Sequence, residues 1–542
     1  MHWIDLSIFI VYMLAMLGVG YYFLRKNKGA EDYYVGGREM GSLHIGLSVV
    51  ATDVGGGFSI GLGGLGFVIG IAGSWMLFTG LVGAWLSAVI LIPRIKSNKA
   101  YANLYTFPEI FNKIYNPNVA LIAGIISAIG YIGFTSSQIL AGAKLAAGSF
   151  TGLSLNEAVL IMGLIAVVYT VMGGIKAVIY TDTIQWIILM GGLIFIGIPI
   201  SYYAVGGMDA IQNTLGPEFM SLTNIEWQDI VNWVITIIPI WFIGMTLYQR
   251  IFACKDEKTA KKAWFYAGLF EYPVMAFMGV FLGLLARVAA SQGMFDYLGP
   301  ENISATDPEQ GLPMLLRTVL PVGLMGIMMS AYFSAILSTA DSCLMAASGN
   351  VVSDILRRFF KFDLESKKAY RISMVTTLVI GAAALILASH MKSVLDLMLS
   401  SYAFMVSGLT VPLIGGLFWK RRTITGALAA MILGGFTTLF LQWNNLVVSG
   451  TIAKGKAIKL ISNIDPLFET NLRQLLQTNK EKFVELVNNS QIIDIPFMDI
   501  YFRLPYGLDP NIYGITVSAL IFILIGYLTK SGNNIAESKT SI

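Results

Sequence analysis

The sequence is poor in charged residues and in cysteine. Only 13% of its 542 residues are charged and 56% are hydrophobic, whereas about a quarter of the residues in a soluble chain are charged. The two cysteines, Cys254 and Cys343, are too few for a disulfide framework and lack a metal-binding spacing. The three histidines, His2, His44 and His390, have no sequence neighbours suited to catalysis. We therefore expect a membrane protein that is not an enzyme, and the net charge of +4 gives no indication of nucleic-acid binding.

Apolar stretches recur along the whole chain, and each is long enough to cross a hydrocarbon core of about 30 Å, which needs about 20 helical residues. The first is expected to stay in the protein, because no basic residues precede it and no small-residue cleavage pattern follows it. The sequence therefore predicts an all-α integral membrane protein with about 13 transmembrane helices. The thirteen stretches lie at roughly residues 4–24, 42–70, 73–95, 119–147, 155–172, 179–204, 228–249, 262–290, 318–350, 370–389, 393–418, 423–443 and 511–529.

Basic residues are concentrated in every second loop between these stretches. The positive-inside rule places such loops in the cytoplasm. We therefore expect a multi-pass plasma-membrane protein with its N-terminus outside and its C-terminus in the cytoplasm. The basic clusters run from Arg25 to Arg38, Arg94 to Lys113, Arg250 to Lys262, Arg357 to Arg371 and Lys420 to Arg422.

One long polar insertion interrupts the pattern at about residues 444–510. It contains a plausible short amphipathic helix at about residues 472–487, followed by a loop with prolines. Long loops are exempt from the positive-inside rule, so its lysines agree with an external position. We interpret the insertion as a lid or spacer without transport chemistry.

The second stretch combines a carboxylate with three glycines at mid-membrane depth, in Asp53, Gly55, Gly56 and Gly57. A charge at a helix centre costs about 2.5–3.5 kcal/mol on insertion scales, and each glycine costs about 1 kcal/mol of helix propensity. Close helix packing explains many membrane glycines, but three in a row point to every face of a helix. We therefore predict a broken helix whose free carbonyls line a cavity or bind an ion.

The ninth stretch carries a polar stripe. Ala335, Ser338, Thr339 and Ser342 share one helical face, and Asp341 lies beside them. Alternatively, these hydroxyls only bond to the backbone of their own helix, as hydroxyls in membrane helices often do. By analogy with calcium, the hard cation sodium prefers oxygen ligands. The sequence therefore predicts a sodium site with carbonyls from the second stretch and hydroxyls from the ninth.

Two further acids and a proline lie within apolar stretches. Asp182 opens the sixth stretch, where it could also simply cap a helix, and Glu271 lies inside the eighth. Pro239, next to Ile240 and Trp241, predicts that the seventh is kinked or interrupted. Interrupted helices five spans apart indicate an inverted-repeat transporter with a solute site between the repeats.

Six segments, in order, resemble motifs of the sodium:solute symporter family, which includes proline, choline, sugar and sialic acid carriers. Together they cover about residues 30–430. They are Leu47–Trp75, Leu140–Leu145, Tyr169–Gly174 with Tyr180–Asp182 and Gln185, Gln249–Arg250, Leu337–Ser342 and Gly416–Lys420.

This resemblance implies a leucine-transporter-type fold, a 5+5 inverted repeat with two broken helices. In family members with a second sodium ion, an acid matching Asp182 and hydroxyls near Ser342 bind it, and here Asp341 replaces one of those hydroxyls. The residues matching the first sodium site are Ala51, Val54, Ala335, Ser338 and Thr339.

The resemblance also implies import of a small polar solute, coupled to Na+, by alternating access. Asp53 matches an acid of proline carriers, whereas the glycines after Val54 look like choline carriers. Trp241 lies near the aromatic inner gate of sugar carriers, and Glu271 lies near a lysine of those carriers. We expect an amino-acid-like or quaternary amine solute, with a sodium/sugar symporter or a proton-coupled or uncoupled facilitator as alternatives. The residues expected to bind or gate the solute are Asp53, Gly55, Gly56, Gly57, Trp241 and Glu271.

The expected partners are therefore a small-molecule solute, sodium ions and the lipid bilayer. The expected organisation has five parts. They are an extra helix and cytoplasmic loop at 1–41, a first repeat at 42–204, an external loop at 205–227, a second repeat at 228–419, and two further helices with the insertion at 420–542.

Overall fold

Helices make up nearly all of the described chain. The structure is a computed structural model that describes residues 2–26, 34, 38, 40–101, 103–150, 152–296, 307–364, 366–444, 492–495, 500–504 and 508–529. The helices are α1 (Trp3–Lys26), α2 (Ser42–Val54), α3 (Gly56–Ile69), α4 (Trp75–Lys96), α5 (Pro108–Ile114), α6 (Pro117–Ser149), α7 (Leu155–Gly192), α8 (Ile198–Ala204), α9 (Gly207–Thr214), α10 (Trp227–Ile243), α11 (Met245–Ala253), α12 (Glu257–Leu269), α13 (Ala276–Ser291), α14 (Pro308–Val319), α15 (Leu324–Gly349), α16 (Arg357–Phe360), α17 (Lys367–His390), α18 (Val394–Phe418), α19 (Ile424–Trp443) and α20 (Pro510–Leu528).

Within the insertion, the described residues form one antiparallel hairpin, β1 (Ile492–Ile495) paired with β2 (Ile500–Arg503). The amphipathic helix predicted at residues 472–487 lies outside the described residues.

Twelve helical stretches of the described chain are long and apolar enough to cross a membrane. The predicted number of spans is about thirteen, and the difference of one arises at the second apolar stretch. Its two halves, α2 with 13 residues and α3 with 14, are each shorter than a full crossing. Part of α3 and the whole of α4 form one apolar stretch, Ser59–Lys96. Thirteen spans result when the broken α2–α3 span and α4 are taken as two.

Helical residues run continuously from Leu155 to Gly192, where the sequence predicts two spans. The Tyr169 hydroxyl nevertheless lies 3.3 Å from the Thr181 hydroxyl. A straight helix would separate their backbones by about 18 Å along its axis, too far for these side chains to meet. The chain therefore turns sharply between the two residues, as the two predicted spans require.

Two transmembrane helices are broken in the middle. The first is interrupted at Gly55, between α2 and α3, as predicted. The second is interrupted at Gly244, which has extended backbone (φ −65°, ψ 114°) between α10 and α11. The interruption lies five residues after Pro239, because α10 continues helically through this proline to Ile243. A proline bends a helix locally, but it ends one only where the following residues also leave helical geometry.

Contacts divide the chain into two units, and α15 forms the core of the larger one, Met1–Ile225 with Ile237–Tyr402. Every residue from Met328 to Gly349 is buried, against α6, α7, α17 and α1 among others. The N-terminus of α15 is capped by Asp5, whose Oδ1 accepts from Gly323 N–H at 2.7 Å and Gly326 N–H at 2.9 Å. This central helix carries the predicted polar stripe.

The smaller unit, Glu226–Thr236 with Ala403–Ile542, is built around α19 and α20. Glycines let these two backbones approach closely, since a Cβ on Gly514 would lie 2.0 Å from Thr438 Oγ1. Thr438 in turn donates to Ser407 Oγ at 2.6 Å.

Large apolar side chains cover the outer surface of many helices. Phe195, Val379 and Leu528 expose 78%, 62% and 71% of their surface. Soluble proteins rarely expose contiguous apolar patches of more than a few hundred Å². The pattern therefore agrees with helices that face lipid.

Three helices are joined by a buried ion cluster. Lys144 Nζ of α6 lies 2.6 Å from Glu309 Oε2 of α14 and 2.7 Å from Asp307 Oδ2. The Glu309 carboxylate also accepts from the first backbone N–H groups of α18, Val394 at 2.9 Å and Leu395 at 3.0 Å. One carboxylate thus neutralises a buried amine and caps a helix.

We expect Glu309→Ala to shorten the half-life of the detergent-purified protein on heating by more than tenfold. Removing one partner of a buried ion pair is costly, although Asp307 still faces Lys144 in this variant. The first N–H groups of α18 also lose their acceptor, and a helix cap contributes about 1 kcal/mol. Glu257→Ala is the matched control, since Glu257 pairs with Lys261 across a partly exposed turn at 2.5 Å and such pairs contribute little. Equal loss in both variants would contradict a structural role for the cluster.

Candidate functional site

The break in the second transmembrane helix exposes backbone groups at the centre of the larger unit. The carbonyls at the end of α2, including those of Ala51 and Val54, have no continuing helix to bond with. There is no room for a side chain at the break, because a Cβ on Gly55 would lie 2.1 Å from Thr339 Oγ1. Glycine is therefore required where α15 crosses the break.

Most of the residues of the predicted first sodium site are placed together by the structure. The Thr339 hydroxyl of α15 lies 3.0 Å from the Ala51 carbonyl oxygen and 3.3 Å from that of Ala335. Ser338 Oγ is buried, makes no hydrogen bond of good geometry among the described residues, and faces the Asp182 carboxyl. Val54, the last residue of α2, presents its carbonyl at the same helix end. The end of α2 carries a partial negative charge, and the buried oxygens nearby suit a small hard cation.

Helix α6 supports both breaks, which the sequence did not reveal. Gln138 Oε1 accepts from the backbone N–H of Gly56, the first residue of α3, at 2.7 Å. Tyr131 Oη accepts from the backbone N–H of Thr246, in the first turn of α11, at 3.2 Å. The two side chains are seven residues apart and so share one face of α6. The presence of polar side chains in this otherwise apolar span is the sequence feature that could have indicated their role.

A second buried polar cluster surrounds Arg250. The expectation that Arg250 belongs to a basic loop is wrong, because this residue lies within α11 and is completely buried. Its Nη2 donates to Thr52 Oγ1 at 2.6 Å and Ser342 Oγ at 2.7 Å, and lies 3.4 Å from Asp182 Oδ2. Its Nε donates to Ser48 Oγ at 3.2 Å. Two residues predicted for a second sodium ion, Asp182 and Ser342, therefore contact a guanidinium.

Asp182 does not act as a helix cap. Its Oδ2 accepts from Ser48 Oγ at 2.5 Å as well as facing Arg250, and its Oδ1 has no partner among the described residues. Asp341, the third residue predicted for a second ion, is held by a short hydrogen bond from Thr170. No contact of Asp341 with Arg250 is found in the described chain.

Two carboxyl groups, those of Asp53 and Glu271, lie close enough to interact with each other. Glu271 is 1% exposed, and apart from the Asp53 carboxyl neither of its oxygens meets a hydrogen-bond partner among the described residues. Asp53 Oδ2 has no other partner there either. Glu271 lies in a distorted turn, Phe270–Met275, in which Tyr272 leaves helical geometry. It packs tightly on α4, because a Cβ on Gly80 would lie 1.9 Å from Glu271 Oε1. Buried carboxyls are costly unless they share a proton or meet a donor.

The other predicted solute residues have different surroundings. Trp241 is fully buried, packs edge-to-face on Trp264 with ring centroids 6.5 Å apart, and leaves its indole N–H without a partner in the described chain. Gly56 and Gly57 are tightly packed, since a Cβ would lie 2.4 Å from Ala141 Cβ and 2.3 Å from Met398 Sδ respectively. These two glycines thus allow close helix packing at the break.

Comparisons with known proteins place this arrangement among transporters. The sequence profile of the sodium:solute symporter family matches residues 33–434. The osmoregulated proline transporter OpuE of Bacillus subtilis is 29% identical over 79% of this chain and 87% of its own length. The sodium/glucose cotransporter of Vibrio parahaemolyticus is 26% identical over 81% of this chain and 85% of its own length.

A solved structure shares the fold. It is described as the substrate-bound outward-open state of a Na+-coupled sialic acid symporter, and it matches with a TM-score of 0.71 at 20% identity. The match covers 97% of this chain and 98% of the other. The predicted all-helical membrane fold of the leucine-transporter type is confirmed by this likeness.

Proposed function

This chain belongs to the sodium:solute symporter family and is a sodium-coupled transporter, and from that premise we propose that it imports an amino-acid-like solute. The proposed solute carries an ammonium group that binds between the carboxyls of Asp53 and Glu271. The proposed coupling ion site is formed by the carbonyls of Ala51, Val54 and Ala335 and the hydroxyls of Ser338 and Thr339.

The unpartnered carboxyl pair is the observation that supports this solute class. Without a ligand, two neighbouring buried carboxyls can be satisfied only by sharing a proton, so a ligand that supplies several N–H groups is favoured. An ammonium group provides such donors together with the opposite charge. The N-terminus of α3, which begins at Gly56, has a partial positive charge that suits a solute carboxylate. The names of several relatives, which include proline transporters, agree with a zwitterion.

The mechanism we propose begins with sodium. The ion joins the end of α2 to α15, and the solute then binds beside the glycine break. Rocking of the two repeats opens the opposite side. One charge moved inward across 100 mV contributes about 2.3 kcal/mol, enough for roughly fortyfold accumulation of a neutral solute.

We also propose the orientation given by the basic loops, with the N-terminus outside and the C-terminus in the cytoplasm of a plasma-membrane protein. In this orientation the 444–510 insertion lies outside. Arg250 is buried, but Lys255 between α11 and α12 and Lys258, Lys261 and Lys262 in the first turns of α12 remain at this end of the span, so the charge bias keeps its sign.

A thermal-shift screen identifies the solute. Amino acids, betaines, choline and sugars are added to the detergent-purified protein in sodium and in potassium buffer. We expect protection by an amine-bearing solute in sodium only. Protection by a sugar and by no amine would refute the proposed solute class.

We expect Glu271→Gln to raise the KM for that solute about tenfold or more while leaving the sodium dependence of uptake in place. A hydrogen bond to a charged group contributes about 1.5–3 kcal/mol, and glutamine keeps the shape but loses the charge. Glu226→Gln, on an exposed residue, is the matched control. A glutamine variant with unchanged KM would show that no ammonium group contacts Glu271, since glutamine can still bond to a polyol.

A further inference from the structure

Two of the basic segments, Arg94–Lys113 and Arg357–Arg371, meet at a polar cavity of about 520 Å³ in the larger unit. Its walls come from α5, the start of α6, α16, and the wider helical turns of Asn350–Leu356 that join α15 to α16. Pockets for small ligands have volumes of about 300–1,000 Å³, and such wide turns are frequent at functional sites. The residues that line the cavity are separate from the proposed sodium and solute sites. The charged ones are Glu109, Asp354, Arg357, Arg358 and Lys361.

Two of these five charged side chains bind the protein itself. Arg358 donates to the Pro117 carbonyl at 2.7 Å, which fixes α16 to the start of α6. Glu109 accepts from the Tyr105 N–H at 2.7 Å, and its other oxygen lies 3.6 Å from Arg357. A ligand in the cavity must therefore use the other three charged groups.

Asp354 is the unsatisfied group of the cavity. It is 9% exposed, its Oδ1 accepts from Thr106 Oγ1 at 2.9 Å, and its Oδ2 is buried without a hydrogen-bond partner among the described residues. Its charged neighbours are Glu109 and Arg357. The side chain is held by close packing, since a Cβ on Gly124 would lie 2.8 Å from Asp354 Cβ. A buried carboxylate oxygen without a donor is costly, so the cavity favours a ligand that donates a hydrogen bond to Asp354.

Arg357 and Lys361 supply positive charge to the same cavity, and both are exposed. Lys361 ends α16 with left-handed backbone (φ 46°), and its N–H donates to the Arg357 carbonyl at 2.9 Å. Within the described chain, the Lys361 amine forms no ion pair, and Arg357 forms only the 3.6 Å contact with Glu109. A ligand in this cavity therefore meets a buried carboxylate and two exposed cations.

The cavity lies at the membrane surface. The apolar stretch Leu324–Phe360 ends beside it, and Phe359 and Phe360 leave 65% and 72% of their surface exposed. Exposed phenylalanines next to basic residues are typical of segments that lie at the headgroup level of a bilayer. In the proposed orientation this surface is cytoplasmic, where basic pockets bind lipid headgroups.

We propose that this cavity binds the headgroup of phosphatidylethanolamine, a lipid that carries an ammonium group and a phosphate. The ammonium group donates to Asp354 Oδ2, the phosphate accepts from Arg357 and Lys361, and the acyl chains lie beside Phe359 and Phe360. Hydrogen bonds between charged groups are about twice as strong as neutral ones. Phosphatidylcholine has the same charges but no N–H donor. Phosphatidylglycerol has no cation to pair with the Asp354 carboxylate.

A lipid titration of the detergent-purified protein, followed by native mass spectrometry, tests the proposal. The three lipids just named are compared with identical acyl chains. We expect the first molecule of phosphatidylethanolamine to bind about tenfold more tightly than phosphatidylcholine or more. Equal binding of these two lipids, or tighter binding of phosphatidylglycerol, would overturn the proposal. So would equally tight binding of soluble phosphoethanolamine, because a soluble zwitterion would then occupy the cavity.

Variants separate the two halves of the headgroup. Asp354→Asn removes the acceptor charge, so we expect it to lose the preference for phosphatidylethanolamine over phosphatidylcholine. Lys361→Gln weakens the phosphate contact, so it should bind both lipids less tightly and keep the preference. Lys368→Gln is the matched control, since Lys368 is exposed in the first turn of α17 and does not line the cavity. A monodisperse Asp354→Asn protein with an unchanged preference would contradict the proposal.

Folding and solute assignment are kept separate from this result. If Asp354→Asn does not give a monodisperse protein, the lipid preference of the unmodified protein and of Lys361→Gln decides, since its absence from either refutes the proposed contact with Asp354. The titration in detergent requires neither a solute nor the proposed orientation. A wrong solute class would appear in the thermal-shift screen and would leave the lipid binding unchanged.

Discussion

Replacing both Ser338 and Thr339 with alanine should abolish sodium-driven uptake. Thr339 Oγ1 lies 3.0 Å from the Ala51 carbonyl oxygen, and Ser338 Oγ is buried and faces the Asp182 carboxyl. Each lost contact to a charged group costs about 1.5–3 kcal/mol, so the pair should weaken sodium binding at least about a hundredfold. The measurement is solute uptake into proteoliposomes as a function of external sodium.

Ser330→Ala is the matched control for this double variant. Ser330 lies on the same helix, is also buried, and donates only to its own backbone at the Gly326 carbonyl. It should keep normal sodium dependence. A double variant that retained the sodium dependence of the unmodified protein would exclude these hydroxyls as ion ligands.

Gly55→Ala should be the most damaging single methyl addition at the break. The new Cβ would lie 2.1 Å from Thr339 Oγ1 and 2.7 Å from Gln138 Oε1, so both side chains must move. Overpacking costs about 1–3 kcal/mol, and here the displaced hydroxyl is also a proposed sodium ligand. We expect the sodium concentration for half-maximal uptake to rise at least tenfold.

Gly191→Ala provides the control, because a Cβ at Gly191 meets no atom within 4 Å. Alanine favours a helix over glycine by about 1 kcal/mol, so this variant should be at least as stable as the unmodified protein. If Gly55→Ala also kept normal sodium affinity, α2 and α15 would not meet as closely as the structure indicates.

The first broken helix could be predicted because its signal is local. Three consecutive glycines beside Asp53 have no favourable role in a continuous membrane helix. The polar stripe of α15 also has a local signal, since the spacing of Ser338 and Thr339 places them on one helical face. The sequence therefore located both halves of the proposed sodium site without tertiary information.

The other elements could not be predicted because they depend on long-range contacts. Arg250 follows an apolar stretch and looks like a loop residue, and only its partners on three other helices explain its burial. The second break lies at Gly244 rather than Pro239, since the helix continues through the proline. The roles of Gln138 and Tyr131 could not be predicted, because they depend on the position of α6 beside both broken helices.

The most direct test of the proposed sodium site is a sodium titration of thermal stability, with potassium as the comparison, on the unmodified protein and on the Ser338→Ala, Thr339→Ala variant. An ion that binds only the folded state raises the unfolding temperature with its concentration. We predict a sodium-specific rise in the unmodified protein and none in the double variant. An equal rise in both proteins, or an equal response to both salts, would contradict the site between α2 and α15.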